Sequence, residues 1–134
     1  MVAQSTPHQD PLFSRPSHPI GYLAAVATLV TAGIHLFLGP QVMGFSQTLG
    51  ILFVLNGLGF LGGLVLYTSR YWRRELFLVA AGYAAVTVLA LFAFQGFSPD
   101  AFYMRGSLNP LAVGAKAAEV VLALCAIYLY SQTP

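Results

Sequence analysis

The sequence carries very little charge. Lysine and arginine together number six and aspartate and glutamate four, only 7% of 134 residues, against roughly 25% in soluble domains. A chain so poor in charge, 57% hydrophobic and with a mean hydropathy of +0.74, cannot dress a water-facing surface, so a soluble domain is excluded. Nucleic-acid binding is excluded with it, because the net charge is +2 and Arg15, Arg70, Arg73, Arg74, Arg105 and Lys116 form no basic patch. Cysteine is scarcer still. Cys125 alone allows neither an internal disulfide nor a CxxC pair, which removes thiol oxidoreductase chemistry. No GxGxxG or Walker pattern occurs, so the 13 glycines point to close helix packing instead of nucleotide loops. At about 20 residues per span, the length leaves room for four short spans and no soluble catalytic domain.

What the chain does contain centres on residues 111–130, LAVGAKAAEVVLALCAIYLY, an apolar run with Lys116 and Glu119 inside it. Each charge costs about 2.5–3.5 kcal/mol near the bilayer centre, while each Leu, Ile or Val returns only about 0.3–0.6 kcal/mol. The two charges therefore need each other. Three residues apart, they share a helix face and can pair. Ala112, Ala115, Ala123 and Ala126 fall on that face, and Val121, Leu124, Cys125 and Tyr128 on the opposite one. The charged face is expected to pack against other helices and the bulky face to meet lipid, with Cys125 a small hydrophobe.

Residues 1–17 hold Pro7, Pro11 and Pro16 among polar residues and are expected to be a flexible cytoplasmic tail. Residues 18–131 form one membrane domain, with spans expected over about 20–38, 48–68, 76–94 and 111–130. The first apolar run is too long for a secretory signal, lacks a small-residue cleavage site, and is expected to break at Gly39-Pro40. Its Ala24, Thr28, Thr31 and His35 share a face, a polar stripe that should turn toward the bundle. In the second span Asn56 shares a face with Gly59 and Gly63, whose GxxxG spacing suits close packing within the chain, a dimer seam being the alternative. Tyr83 and Thr87 fall together on the third span. The tripeptide Gly44-Phe45-Ser46 after the first span recurs as Gly96-Phe97-Ser98 after the third, a possible trace of a duplicated hairpin.

Residues 69–75, SRYWRRE, join three arginines to Tyr71 and Trp72. Such a loop belongs on the cytoplasmic side with its aromatic pair at headgroup level, which places both termini in the cytoplasm and leaves Arg105 outside. The connection over residues 95–109 is the longest and is the expected place for an external contact.

Counted by depth at about 1.5 Å per residue, His35, Asn56, Lys116 and Glu119 could descend as a polar column from the outer surface, with Thr31, Tyr83 and Thr87 in support. One reading is a relay for an ion, proton or small ligand. The other is a satisfied structural network in which Lys116 pairs with Glu119, Asn56 bridges helices and His35 bonds to Thr31 or water. Haem ligation by two histidines would need a partner at the depth of His35, and His18 lies near the opposite interface. A metal held by His35 and Glu119 alone would be short of ligands. No catalytic residue, metal or cofactor is therefore expected, and the protein is not expected to be an enzyme.

With GIHLFLGP, LGILFVLNGLGFLGG and KAAEVVLALCAIYLY, the chain resembles small four-span prokaryotic membrane proteins of uncharacterised function. The resemblance rests on Gly33, His35, Gly50, Phe53, Gly57 and Glu119. The chain lacks the first-span arginine pattern of DoxX-like proteins and the first-span carboxylate of small multidrug exporters. The resemblance implies an all-α, integral membrane, four-helix antiparallel bundle in the plasma membrane. The leading expectation for function is a non-enzymatic accessory or assembly component that meets a membrane-protein partner or a second copy of itself. A minimal oligomeric transporter or an ion- or proton-responsive channel, and a redox or haem-binding membrane subunit, are the alternatives.

Overall fold

A stretch that is apolar all round can satisfy its backbone away from water only by closing its hydrogen bonds within itself, and four stretches of this chain do so as helices. In the computed structural model, which describes residues 11–104 and 106–134, these are α1 (Pro19–Val42), α2 (Gln47–Thr68), α3 (Leu76–Gln95) and α4 (Pro110–Gln132). All four are long and apolar enough to cross a membrane, with hydropathies of 1.8 to 2.3. The protein is thus an all-α, multi-pass membrane protein whose surroundings are a lipid bilayer. Three of the four starts are marked by side-chain caps, α3 being the exception. The His18 imidazole accepts from the Ile20 N–H, the Ser46 hydroxyl from Leu49, and the Asn109 amide oxygen from Leu111 and Ala112. Pro19 and Pro110 sit in first turns, where their missing N–H has no partner to lose.

In two places the chain is more ordered than its sequence suggests. The first helix does not break at Gly39-Pro40 but runs on to Val42. Proline removes one donor, and the last turn is held instead by close packing on α2. A Cβ placed on Gly50 would lie 2.7 Å from the Gly39 carbonyl oxygen, and one on Gly57 would lie 2.8 Å from the Leu36 side chain. Nor are residues 12–14 a free tail. The Ser14 N–H donates to the Thr68 carbonyl (2.8 Å) and the Arg70 N–H to the Leu12 carbonyl (2.9 Å), so this segment straps the end of α2. Residues 1–10 of the expected tail lie outside the described residues.

Helix α1 packs on α2 and on α4, and α4 packs on α3. The order in space is therefore α2, α1, α4, α3, with α2 and α3 held apart although they are consecutive in the chain. The core between α1 and α4 is built from small side chains, Ala24, Ala27, Ala32, Ala118 and Ala126 among them, which lets the backbones approach. Phe60, Phe77, Leu122 and Leu129 fill the rest. Cys125 is buried in this core, not turned to lipid, because α4 lies between two neighbours and buries a wider sector than its alanine stripe. Leu124 and Tyr128 are exposed on the remaining face.

The expected close seam at Gly59 and Gly63 is not formed within the chain. A Cβ on Gly59 would meet the Tyr83 side chain, and one on Gly63 would have no described neighbour within 4 Å. The glycines closely approached by another helix's backbone are Gly39, Gly50 and Gly57, all between α1 and α2. Beyond α3 the chain makes one 3-10 turn (Pro99–Phe102) and a two-stranded hairpin, β1 (Tyr103–Met104) and β2 (Ser107–Leu108), with Tyr103 opposite Leu108. Gly106 turns the hairpin at φ +79°, a backbone that disfavours side chains. Arg105, expected as the outer cation, lies outside the described residues.

These glycine contacts make opposite predictions for one substitution. Gly50→Leu should destabilise the detergent-solubilised protein by about 1–3 kcal/mol or more through overpacking. Gly62→Leu, whose Cβ meets no described atom within 4 Å, should leave the thermal unfolding midpoint near that of the wild type.

Candidate functional site

The fourth helix carries the charge that the rest of the site answers. Glu119 is wholly buried, and both of its oxygens are engaged: Oε1 accepts from Lys116 Nζ at 2.7 Å and Oε2 from the Thr31 hydroxyl of α1 at 2.7 Å. The ion pair is the only salt bridge among the described residues. Lys116 Nζ also donates to the Thr87 carbonyl of α3 at 3.2 Å. One pair on α4 is thereby bonded to the helices on either side of it. Its spacing follows from the helix itself, since residues i and i+3 lie one turn apart on a single face.

His35 joins through the same threonine. Its Nδ1 lies 2.9 Å from the Thr31 carbonyl and 3.2 Å from the Thr31 hydroxyl. Because that hydroxyl donates its one proton to Glu119, Nδ1 must carry hydrogen and donate to Thr31. The ring lies between Phe53 and Phe60, at centroid separations of 5.3 and 6.2 Å. These two phenylalanines are seven apart on α2 and so share a face, a signal that the sequence contains but that polar-residue counting passes over.

Asn56 belongs to a second, smaller knot. Its amide oxygen accepts from the Tyr83 hydroxyl at 2.7 Å and from the Thr87 hydroxyl at 3.4 Å, and Thr87 also donates to the Tyr83 carbonyl at 2.9 Å. The structure thus brings His35, Lys116 and Glu119 together through Thr31, and Asn56 together with Tyr83 and Thr87. It does not line the four up as one column. The knots touch only at Thr87, whose hydroxyl serves Asn56 and whose carbonyl serves Lys116. That carbonyl is a backbone atom, and no side-chain pattern could have named it.

A separate feature lies beside this network. Between α2 and α3 runs an apolar groove with a cavity volume of about 190 Å³, lined by Thr28, Gly59, Phe60, Gly63, Tyr67, Trp72, Phe77, Ala80, Tyr83 and neighbours. His35, Lys116 and Glu119 lie outside its lining. Phe60, 3% exposed, stands between the two, packed edge-on against Tyr83 at 4.9 Å and tilted against His35. Among the described residues, no group of three or more His, Cys, Asp or Glu side chains is placed as metal ligands would be. Chemically the cluster is a buried ion pair held by hydrogen bonds from two neighbouring helices, with the Phe60 ring between it and the groove.

Against known proteins, the sequence matches the model of a family described as a family of unknown function (DUF7475) over residues 6–130. No curated protein and no solved structure matches it.

The network predicts a particular ordering of stabilities. Removing one partner strands the other charge in a poorly solvated site, so Lys116→Leu and Glu119→Leu should each cost about 3–5 kcal/mol or abolish folded yield, and the double replacement should recover most of the loss. Thr31→Val should cost about 1.5–3 kcal/mol, the range for a hydrogen bond to a charged group. Thermal or denaturant unfolding of the purified variants measures all four, and additive losses in the double variant would show that the pair does not act as a unit.

Proposed function

The chain belongs to this family of unknown function, and we propose that it is a non-enzymatic component of the plasma membrane, serving assembly or acting as an accessory to another membrane protein. The observation that carries the proposal is the burial of Glu119 with both carboxylate oxygens engaged. A group that moves a proton or an ion must be reachable, and Glu119 has both oxygens occupied and no exposed surface. The Thr31 hydroxyl and the Thr87 carbonyl hold the ion pair from two sides, and Asn56, Tyr83 and Thr87 bond to one another, which suits a device that sets helix positions. In this reading the polar residues fix the fold, and recognition falls to the outer surface.

The orientation proposed places residues 69–75 and both termini in the cytoplasm. It is supported by the gathering of arginines at one end of the bundle, where the strap at residues 12–14 runs antiparallel to residues 68–70 and brings Arg15 to the same end. Reconstituted into proteoliposomes, the protein should pass protons and monovalent cations no faster than empty vesicles do. Flux that disappears in Glu119→Gln would overturn the proposal in favour of a transporter or channel. In a Cys125→Ala background, Ser107→Cys should react with an impermeant maleimide on intact cells and Arg70→Cys should not. The reverse pattern would invert the orientation.

A further inference from the structure

The space between α2 and α3 is the least expected feature of the bundle. Two helices joined by a short connection would ordinarily pack on each other, yet here they stand apart along the halves that flank that connection. Far from the connection the gap is bridged by the Tyr83 hydroxyl bonded to Asn56. At the other end it meets residues 69–75. From Gly59 to Tyr67 along α2 the slot is about 12 Å long at 1.5 Å per residue. Its rim is exposed, with Val79 63% and Leu66 38% accessible, and this rim faces the hydrocarbon around the helices. Gly63 leaves its inner wall bare.

The chemistry at the open end differs sharply from that of the slot. Arg70 and Arg73 are exposed there, beside Trp72, which lines the groove itself. The strap adds Arg15. Arg74 is engaged within the protein, its Nε donating to the Tyr130 carbonyl at 3.2 Å and its guanidinium lying 3.9 Å from the centre of the Tyr130 ring. The others form no salt bridge with a described carboxylate. An apolar slot that opens to hydrocarbon and ends in planar cations at the level where headgroups begin is complementary to one kind of molecule.

We propose that the groove between α2 and α3 binds an anionic phospholipid, with one acyl chain along Gly59, Gly63 and Ala80 and the phosphate held by Arg70 and Arg73. Hydrocarbon fills the slot in any bilayer, since water is absent at that depth. The selection among lipids comes from the guanidinium groups, which meet phosphate oxygens in paired hydrogen bonds and favour anionic headgroups. The site is independent of which side of the membrane the arginines occupy and of what the protein assembles with.

Thermal unfolding of the purified full-length chain in detergent, with added phosphatidylglycerol or phosphatidylcholine, tests the proposal. Phosphatidylglycerol should raise the midpoint more than phosphatidylcholine does, and glycerol phosphate without acyl chains should not raise it. The double variant Arg70→Gln, Arg73→Gln should lose the difference between the two lipids. Gly63→Leu, whose Cβ meets no described atom within 4 Å, extends into the slot, so it should fold and lose the response to both lipids, while Gly62→Leu, outside the groove lining, should keep it. If Gly63→Leu does not fold, Val79→Trp at the exposed rim covers the same mouth and should give the same loss. Equal responses to both lipids in the wild type, or an unchanged response when the slot is filled, would overturn the proposal. Efficient disulfide-linked dimers of Gly63→Cys in a Cys125→Ala background, formed in phosphatidylglycerol bilayers, would place a second copy in the groove and also overturn it.

Discussion

A carboxylate with no access to water must find its counter-charge inside the protein, and Glu119 sets that condition for the whole bundle. An unpaired charge at such depth costs far more than any single helix contact returns. Lys116 answers from the same helix, so the pair forms whatever else the chain does. One further carboxylate oxygen and one further ammonium proton are answered from the flanking helices by the Thr31 hydroxyl and the Thr87 carbonyl. The positions of α1 and α3 about α4 follow from those two demands. Small side chains along the contact then allow the approach that short hydrogen bonds require.

Much of this was legible beforehand because it is local. Apolar runs of spanning length, the i, i+3 spacing of Lys116 and Glu119, and the stripe of Ala24, Thr28, Thr31 and His35 are all properties of single helices. What escaped depends on neighbours. Cys125 is buried because α4 lies between two partners, which no helical wheel of α4 contains. Gly59 and Gly63 show a spacing suited to close approach, but whether another backbone arrives is decided across the bundle, and there a tyrosine arrives instead. Pro40 stays inside α1 because tertiary packing holds the turn that local preference would end. The strap at residues 12–14 is made by backbone atoms, which carry no signature in the side chains.

The two faces of Phe60 divide the protein into regions with different physics. On one side a buried ion pair is held by directional hydrogen bonds from two neighbouring helices, and each bond constrains the next. On the other, apolar walls are joined by few directional contacts, and the aromatic cluster of Tyr67, Trp72 and Phe77 packs edge to face at 5.1 to 5.8 Å. Helix α2 is attached to the bundle chiefly through α1, by glycine contacts at one end and Phe60 near its middle. The polar half is tied together by directional bonds, and the apolar half presents its surface to the hydrocarbon.

The groove opens sideways, through the exposed rim of α2 and α3, and that direction governs supply. A molecule reaches it from the hydrocarbon after it has dissolved in the bilayer, so the concentration that matters is the one within the membrane. For a series of amphiphiles with the same headgroup, occupancy at fixed aqueous concentration would therefore track the membrane–water partition coefficient, rising with chain length even where contacts inside the slot stay the same. Diffusion in two dimensions, and not encounter from solution, would set the rate of filling.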